Sequence, residues 1–383
     1  MRRKKIRVTG NGNVAAARTK GYRVATRYRS IANETALDLA HSSNAAPVAD
    51  ATHAARDWTR ILARYRDPNL ARSLFEIAVT LVPFVAIWFA MWALLERGYW
   101  LALLLAVPGA GFLVRLFMIQ HDCGHGAFFQ DRRVNDWVGR AIGILTLTPY
   151  DLWRRSHASH HATTGNLDRR GIGDIGILTL EEYRARNAWG RLTYRAYRHP
   201  VVMFVLGPAH LFLLQHRLPV GFMRGGLLPW ASTMTTNAGL VATISVFIWL
   251  IGLKSFLLVQ LPITLLAASI GVWLFYVQHQ FEETSWDNDC DWNLHEAALR
   301  GSSYYELPGI LRWFTANIGM HHVHHLYSRI PYYRLPQTLR DNPELKSISR
   351  LTLRESFRCV RFTLWDESRR RMITFREAGL IAA

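Results

Sequence analysis

Cysteine is scarce in this 383-residue chain, which has only Cys123, Cys290 and Cys359 and no Cys-x-x-Cys pair. Such spacing argues against a disulfide framework and against an iron–sulfur cluster, because both need grouped cysteines. No Gly-x-Gly-x-x-Gly follows a predicted strand, as a dinucleotide site would require, and the chain has no His-Pro-Gly-Gly sequence of the cytochrome type. We therefore expect any electrons that the protein uses to come from a separate carrier.

Acidic residues are also few, with 28 Asp and Glu against 46 Lys and Arg, so the net charge is +18. Nucleic-acid binding is one interpretation of this charge, but no nucleic-acid motif is present. Contact with anionic lipid on the cytoplasmic side of a membrane is the alternative that we favour. The first thirty residues hold ten Lys or Arg and no acid. We interpret 1–55 as a poorly structured basic arm, although an organelle transit peptide has a similar composition.

The apolar residues are concentrated in long runs, which is typical of membrane proteins. Four runs are predicted to span the membrane as two hairpins, at 73–95, 99–119, 237–253 and 255–277. Two weaker segments, 138–150 and 201–215, are predicted to be interfacial or re-entrant, since the second has basic flanks that both favour the cytoplasm. Residues 56–72 have the pattern of a basic amphipathic helix, either on the membrane surface or packed against the protein itself.

The fold class predicted from these patterns is an all-α integral membrane protein with four transmembrane helices and a cytosolic helical domain. In the C-terminal part, Thr352 and Glu355 form the pattern of a capping box. Leu353, Phe357, Val360 and Leu364 follow at helical spacing. We therefore predict an amphipathic helix that begins after Thr352.

Histidines dominate the polar residues at the predicted membrane boundaries. They form one His-x-x-x-His and two His-x-x-His-His patterns, spacings that place imidazoles on one helical face, and a further histidine ends the fourth span. A single such pair is more often structural, but the combination predicts a metal site. The candidate ligands are His121, His125, His157, His160, His161, His279, His321, His324 and His325.

Nine nitrogen ligands exceed what one metal ion uses and suit two ions with four or five ligands each. Imidazole binds Fe, Zn, Cu and Ni, so the ligand type alone does not name the metal. A zinc hydrolase needs only three protein ligands, and the position beside lipid favours a pair of irons that activate O2. His322 breaks the repeated spacing and is expected to point elsewhere. The histidines interpreted as structural or interfacial are His41, His53, His199, His210, His216 and His295.

Ligating imidazoles usually donate their second nitrogen to a carboxylate or a carbonyl. Polar residues near the clusters are therefore candidate partners, and an ordinary solvated side chain is the alternative for each. These candidates are Asp122, Asp168, Asp174, Glu282, Glu283 and Asn317. Cys123 is expected to pack rather than to bind metal, because it lies on a different side of the helix from its neighbouring histidines.

The clusters HDCGH, HASHH and HHVHH, in this order, resemble the membrane fatty acid desaturase family. HATTGNLDRRGIGDI, GVWLFYVQHQFEET, ALRGSSYYELP, NIGMHHVHHLYSRIPYYRL and LTLRESFRCVRFTLWDESRRR resemble its bacterial acyl-lipid branch, with omega-6/delta-12 or delta-5 like enzymes. The resemblance implies a desaturase domain over 73–375, with a tail at 376–383.

The resemblance implies that the nine histidines bind two irons on the cytoplasmic side of a bacterial inner membrane. It also implies an O2-dependent reaction that gives a cis double bond in a fatty acyl chain, with membrane glycerolipid as the expected substrate. The implied electron donor is a ferredoxin-like protein with its reductase. No nucleic-acid partner is expected.

Two other functions remain to be weighed. A di-iron hydroxylase or ketolase of a lipid, sterol or carotenoid would share the histidine spacing, and product analysis would separate it from a desaturase. A metal transporter or sensor would need polar residues inside the spans, and the four predicted spans have almost none.

Overall fold

The structure is a computed structural model, and it describes residues 57–171 and 173–381. The basic arm predicted at 1–55 lies outside the described residues, as do the last two residues of the tail. The fold is mainly helical. In chain order, the helices are α1 (Leu70–Glu96), α2 (Ala106–His125), α3 (Arg132–Leu145), α4 (Tyr150–Thr163), α5 (Leu180–Ala185), α6 (Ala188–Tyr197), α7 (Gly207–Leu213), α8 (Leu227–Ile251), α9 (Leu253–His279), α10 (Leu294–Arg300), α11 (Gly309–Phe314), α12 (His321–Leu326), α13 (Leu335–Asp341), α14 (Leu353–Cys359) and α15 (Phe375–Leu380).

Four of these helices are long and apolar enough to cross a membrane, which confirms the predicted number of spans. They are α1, α2 with its 3-10 start at Trp100–Leu105, α8 and α9. Each hairpin has a short link. In the second hairpin the link is Gly252 alone, with φ at 81°, a conformation that glycine adopts at little cost. The sequence pattern therefore predicted both hairpins.

The third long helix, α8, begins at Leu227, ten residues before the predicted start of the span at Asn237. Polar residues in this stretch led the hydropathy pattern to miss it. Their hydroxyls are satisfied within the helix: Thr233 Oγ1 donates to the carbonyl of Pro229 (2.9 Å), and Thr236 Oγ1 donates to that of Ser232 (3.0 Å). Back-bonding of this kind lets Thr continue a helix.

The two weaker apolar segments form short helices. The first, α3, has 14 residues and is followed by α4. The second contains a π-helical turn at Val202–Leu206 and then α7. A spanning helix needs about 20 apolar residues. Both segments are shorter than this, and their interfacial position stays a prediction.

The segment predicted as an amphipathic helix at 56–72 does not form one continuous helix. Residues 57–62 are helical, Ala63–Tyr65 is a 3-10 turn, and α1 then begins at Leu70. Leu62 and Tyr65 are buried, and the hydroxyl of Tyr65 donates to Asp341 Oδ2 at 2.8 Å. The apolar face of this segment thus packs against the protein's own C-terminal part.

Within residues 57–171 and 173–381, five short strands accompany the helices. They are β1 (Leu178–Thr179), β2 (Tyr304–Glu306), β3 (Arg350–Thr352), β4 (Leu364–Asp366) and β5 (Arg371–Ile373). One sheet has the order β1-β4-β5. In it, β1 is parallel to β4, with Leu178 opposite Leu364, and β5 is antiparallel to β4. In the other sheet, β2 is parallel to β3, with Tyr304 opposite Arg350. Strands of two or three residues carry no alternating pattern, so the sequence did not predict them.

The predicted C-terminal helix is α14, and its capping box between Thr352 and Glu355 is present. The helix ends at Cys359, however, so Leu364 belongs to β4 and not to the helix. Buried donors explain the early end, because the single Tyr276 hydroxyl lies 3.2 Å from the carbonyls of both Cys359 and Phe362, and Arg198 Nη2 donates to the carbonyl of Phe362 at 3.0 Å.

Helix α2 is the centre of the membrane part. It packs against α1, α3 and α9. In the apolar 18-residue stretch of this span, 61% is buried within the protein, against 11% in the corresponding stretch of α8. Gly109 allows a close approach to α9, since a Cβ at this position would lie 3.1 Å from Ile263. The end of α2 is therefore held firmly, and the first histidine cluster lies there.

Candidate metal centre

The first histidine cluster lies in the last two turns of α2. His121 and His125 are four residues apart and share a face of this helix. The helix continues six residues beyond the predicted end of the span, and Gly126 ends it with a left-handed φ of 67°. The two rings are 4.7 Å apart.

The second cluster lies on α4, which begins after Pro149. His157, His160 and His161 are separated by three and four residues, so they project toward the same region. His125 Nε2 and His157 Nε2 are 3.0 Å apart. Helices α2 and α4 therefore bring the first two clusters into contact.

The third cluster forms α12, a six-residue helix that is buried throughout. His279 is the last residue of α9. His321 Nε2 lies 2.9 Å from His279 Nε2, and His324 Nε2 lies 3.2 Å from His161 Nε2. The third cluster thus joins the other two from the C-terminal side.

All nine candidate ligands come together in two groups, in each of which the ligand atoms lie within 4.8 Å of one another. We call them the five-histidine group and the four-histidine group. The five-histidine group contains His121, His125, His157, His161 and His324. The four-histidine group contains His160, His279, His321 and His325. The sequence predicted four or five ligands for each metal, and the two groups contain five and four histidines.

Five of the rings outside the long helices are neutral at pH 7. Burial lowers the pKa of each well below the usual value, and the charges of neighbouring histidines lower it further. These five are His157, His161, His321, His324 and His325. A neutral imidazole keeps one nitrogen lone pair, which a metal ion needs.

Three groups orient histidine rings of the two groups through their Nδ1 nitrogens. His160 Nδ1 is 2.5 Å from Asp174 Oδ1, His121 Nδ1 is 3.2 Å from Asp122 Oδ1, and His279 Nδ1 is 3.0 Å from the carbonyl of Gly301. When Nδ1 donates in this way, the lone pair lies on Nε2. The Nε2 atoms of His160 and His279 are 3.1 Å apart, and a cation between them would offset the repulsion of two facing lone pairs. The donor set therefore fits bound transition-metal ions.

The other candidate partners lie elsewhere. Asp168 Oδ2 accepts from the backbone N–H of Asp289 at 2.8 Å, and Asn317 Nδ2 donates to the carbonyl of Tyr332 at 3.1 Å. Glu282 and Glu283 are exposed. Among the described residues, Asp122 and Asp174 are the candidates that contact a histidine of the two groups.

The other histidines that the structure describes are outside both groups. His322 Nε2 lies 2.8 Å from the carbonyl of Leu345, and burial lowers the pKa of His322 to about 4. It points away from the centre, as the spacing predicted. His199, His210, His216 and His295 belong to neither group, and His41 and His53 lie outside the described residues.

Sequence reasoning missed several groups at the centre. The ring of Trp153 stacks on His157 at 4.8 Å and 15°, and Phe275 lies 4.9 Å from the ring of His160. Each aromatic precedes a histidine of its own helix by four residues, Phe275 preceding His279, and this spacing could have identified both. Gly301 contributes a main-chain carbonyl, for which side-chain patterns give no signal.

A cavity of about 760 Å³ reaches the histidines. It lies among α2, α4, α7 and α9, and most of its lining is apolar, whereas His121, His157 and His321 line it at the metal centre. Along α9 the lining extends from Thr264 to Gln278, a distance of roughly 20 Å at 1.5 Å per residue. Its volume is in the range of ligand pockets, and its length suits an elongated apolar molecule.

Comparison with known proteins identifies the family. Residues 97–351 match the family model described as fatty acid desaturase. The chain belongs to the fatty acid desaturase family. The desaturase is also 43% identical, over 326 residues, to a fatty acid desaturase of Bacillus subtilis (strain 168), and the match covers 85% of this chain and 92% of that protein.

Two relatives from Synechocystis are more distant. The desaturase is 28% identical to an sn-1 acyl-lipid omega-3 desaturase (ferredoxin), over 70% of this chain and 74% of that protein. It is 26% identical to an sn-1 oleoyl-lipid 12-desaturase, over 58% of this chain and 63% of that protein. These relatives do not favour the hydroxylase or ketolase alternative.

Proposed function

We propose that this desaturase introduces a cis double bond into the acyl chain of a membrane glycerolipid, with O2 as co-substrate and two irons at the nine histidines. The observation that carries the proposal is the cavity, because it is long and apolar and reaches both histidine groups. The printed names of the two Synechocystis relatives, both acyl-lipid desaturases, support a lipid substrate.

The five-histidine group would hold one iron and the four-histidine group the other. With two electrons from an external donor and two protons, the bound irons would activate O2, which would take two hydrogens from adjacent methylenes and end as two molecules of water. Asp174, Asp122 and the Gly301 carbonyl would orient the ligating histidines. The rings of Trp153 and Phe275 form walls of the cavity beside these histidines. The apolar lining would exclude water from the reacting carbons.

An external donor would supply the electrons. The name of a Synechocystis relative includes ferredoxin, and the +18 net charge of this chain would attract an acidic carrier. We propose a ferredoxin-like donor with its reductase. Its electron-transfer rate should fall as ionic strength rises, because salt screens such attraction; a rate that is independent of salt would contradict electrostatic docking.

The proposed location is a bacterial inner membrane, with the centre on the cytoplasmic side. The positive-inside rule supports this orientation. His125 and His279 end two long helices whose ends meet at the centre, so the loops that follow both helices would share that side.

The test of the proposed function is expression in a host that lacks polyunsaturated lipids, followed by gas chromatography with mass spectrometry. The wild-type chain should yield a new unsaturated fatty acid. His160→Ala should yield none, whereas His199→Ala, which changes an exposed histidine outside both groups, should retain the product. Unchanged fatty acids with wild-type protein, adequate iron and a working reductant would refute the proposal, and an alcohol or a ketone would favour the alternative chemistry.

A further inference from the structure

Two opposite charges lie buried among the apolar residues of the first two long helices. Glu76 on α1 and Arg115 on α2 form an ion pair, and each side chain is only 2% exposed. Charged residues inside membrane helices are rare, costly and usually functional. The metal centre described above does not use either of them as a ligand, so their presence needs a separate explanation.

Each of the three nitrogens of the Arg115 guanidinium has a hydrogen-bond partner. Nε donates to Thr80 Oγ1 at 3.1 Å, Nη1 donates to the carbonyl of Trp313, and Nη2 donates to Glu76. The guanidinium also lies 4.0 Å above the ring of Trp313. Arg72, which is half exposed, reaches the other oxygen of Glu76 at 2.7 Å. The pair is therefore fixed in one geometry by groups from three helices.

The pair is connected to the metal centre through Tyr332, in the segment that follows the third histidine cluster. The hydroxyl of Tyr332 donates to Glu76 Oε2 at 3.1 Å. The backbone N–H of the same residue donates to Asp122 Oδ2 at 2.6 Å. The other oxygen of Asp122 lies 3.2 Å from His121 Nδ1. A continuous series of contacts thus leads from the ion pair to a member of the five-histidine group.

We infer that Glu76, Arg115 and Tyr332 are positioning residues that fix Asp122 and, through it, the orientation of His121. This inference rests on the proposed function, because it requires that His121 binds a metal ion. Stability alone does not account for the pair, since apolar residues of similar volume often replace a buried ion pair without loss of stability. Apolar residues would leave the Tyr332 hydroxyl without the carboxylate of Glu76, which holds it and thereby the N–H that faces Asp122.

The test compares two neighbouring tyrosines in the full-length, purified protein loaded with Fe²⁺. Tyr332→Phe removes the hydroxyl that contacts Glu76 and leaves the ion pair intact. Tyr333→Phe is the matched control, because the Tyr333 hydroxyl bonds to Asn69 N (2.9 Å) and Ser73 (3.2 Å) and not to this series. The readouts are Fe²⁺ affinity, from competition with a chelator, and the Mössbauer spectrum.

Tyr332→Phe should weaken the binding of one of the two irons by about tenfold, at the lower end of the effects of outer hydrogen-bond partners, and should change one component of the spectrum. Tyr333→Phe should match the wild type. Identical affinity and spectra in the two variants would overturn the inference. A wild type that binds no iron would refute both the proposed function and this inference. A wild type that binds two irons, together with a Tyr332→Phe variant of the same affinity and spectrum, would refute this inference alone.

A second variant separates positioning from the cost of an unpaired charge. Glu76→Gln alone leaves Arg115 buried without a counter-ion and should reduce the yield of folded protein. The double variant Glu76→Leu with Arg115→Met removes both charges together with the acceptor of the Tyr332 hydroxyl, and it should fold, because apolar residues often replace a buried ion pair without loss of stability. We expect it to show the same loss of Fe²⁺ affinity as Tyr332→Phe. Wild-type affinity in the folded double variant would show that the pair has no positioning role.

Discussion

At the residue scale, hydrogen bonds to the Nδ1 nitrogens set the orientation of several histidine rings in the two groups. Asp174 makes the shortest of these contacts, at 2.5 Å from His160 Nδ1, and it lies in the loop after α4. Its carboxylate favours the tautomer in which the Nε2 lone pair points toward the four-histidine group. A single carboxylate in a loop, Asp174, therefore sets the tautomer and the orientation of His160.

We predict that Asp174→Asn weakens iron binding by about 10–100-fold, because loss of such a partner usually has this effect. Affinity is measured by chelator competition. Asp168→Asn is the control, since Asp168 contacts the backbone of Asp289 rather than a histidine. Equal affinity in the two variants would contradict the role assigned to Asp174.

The residue scale is also where sequence reasoning worked best and where it reached its limit. Imidazole spacing identified eight members of the two groups, because helical geometry makes neighbours of residues three and four apart. The ninth, His279, was predicted from its position at the end of the fourth span. It could not choose among nearby carboxylates: Asp122 and Asp174 contact histidines, but Asp168 does not. That choice depends on loop conformation, which carries no periodic signal.

At the scale of the elements, α9 contributes a member of the four-histidine group and also forms one wall of the cavity. His279 ends this helix, and Gly271 lies two turns earlier on the cavity side. A Cβ at Gly271 would meet no atom within 4 Å, so a larger side chain could extend into the cavity without a clash. The position is roughly 12 Å along the helix from His279.

We predict that Gly271→Leu restricts the desaturase to shorter acyl chains, because the new side chain occupies cavity volume. The fold should tolerate the change, since glycine inside a helix is less favourable than leucine. The measurement is the chain-length distribution of products in a host that supplies several lengths. Leu266→Phe, at an exposed position of α9, should leave the distribution unchanged, and the same result for Gly271→Leu would count against the cavity as the acyl site.

Element boundaries were the weakest part of the sequence prediction. Hydropathy found the four long helices but placed the start of α8 ten residues late, because Thr233 and Thr236 satisfy their hydroxyls within the helix. Helical spacing extended α14 to Leu364, although buried donors end the helix at Cys359. Both errors arise from hydrogen bonds that only the folded chain reveals.

At the scale of the whole molecule, the orientation in the membrane can be tested with native cysteines. Cys290 is exposed and lies in the segment after α9, while Cys123 and Cys359 are buried. We predict that a membrane-impermeant thiol reagent labels Cys290 in inside-out vesicles and not in intact cells. Cys290→Ser should abolish the labelling. Labelling of intact cells would place the metal centre on the opposite side.

At the scale of the whole molecule, the proposed function depends on two metal ions at nine histidines. The most direct measurement is the iron-to-protein ratio of the purified, full-length chain after loading with Fe²⁺ and removal of loosely bound metal. The account predicts a ratio near two, with one iron in the five-histidine group and one in the four-histidine group. A ratio of one or less in folded wild-type protein would contradict it.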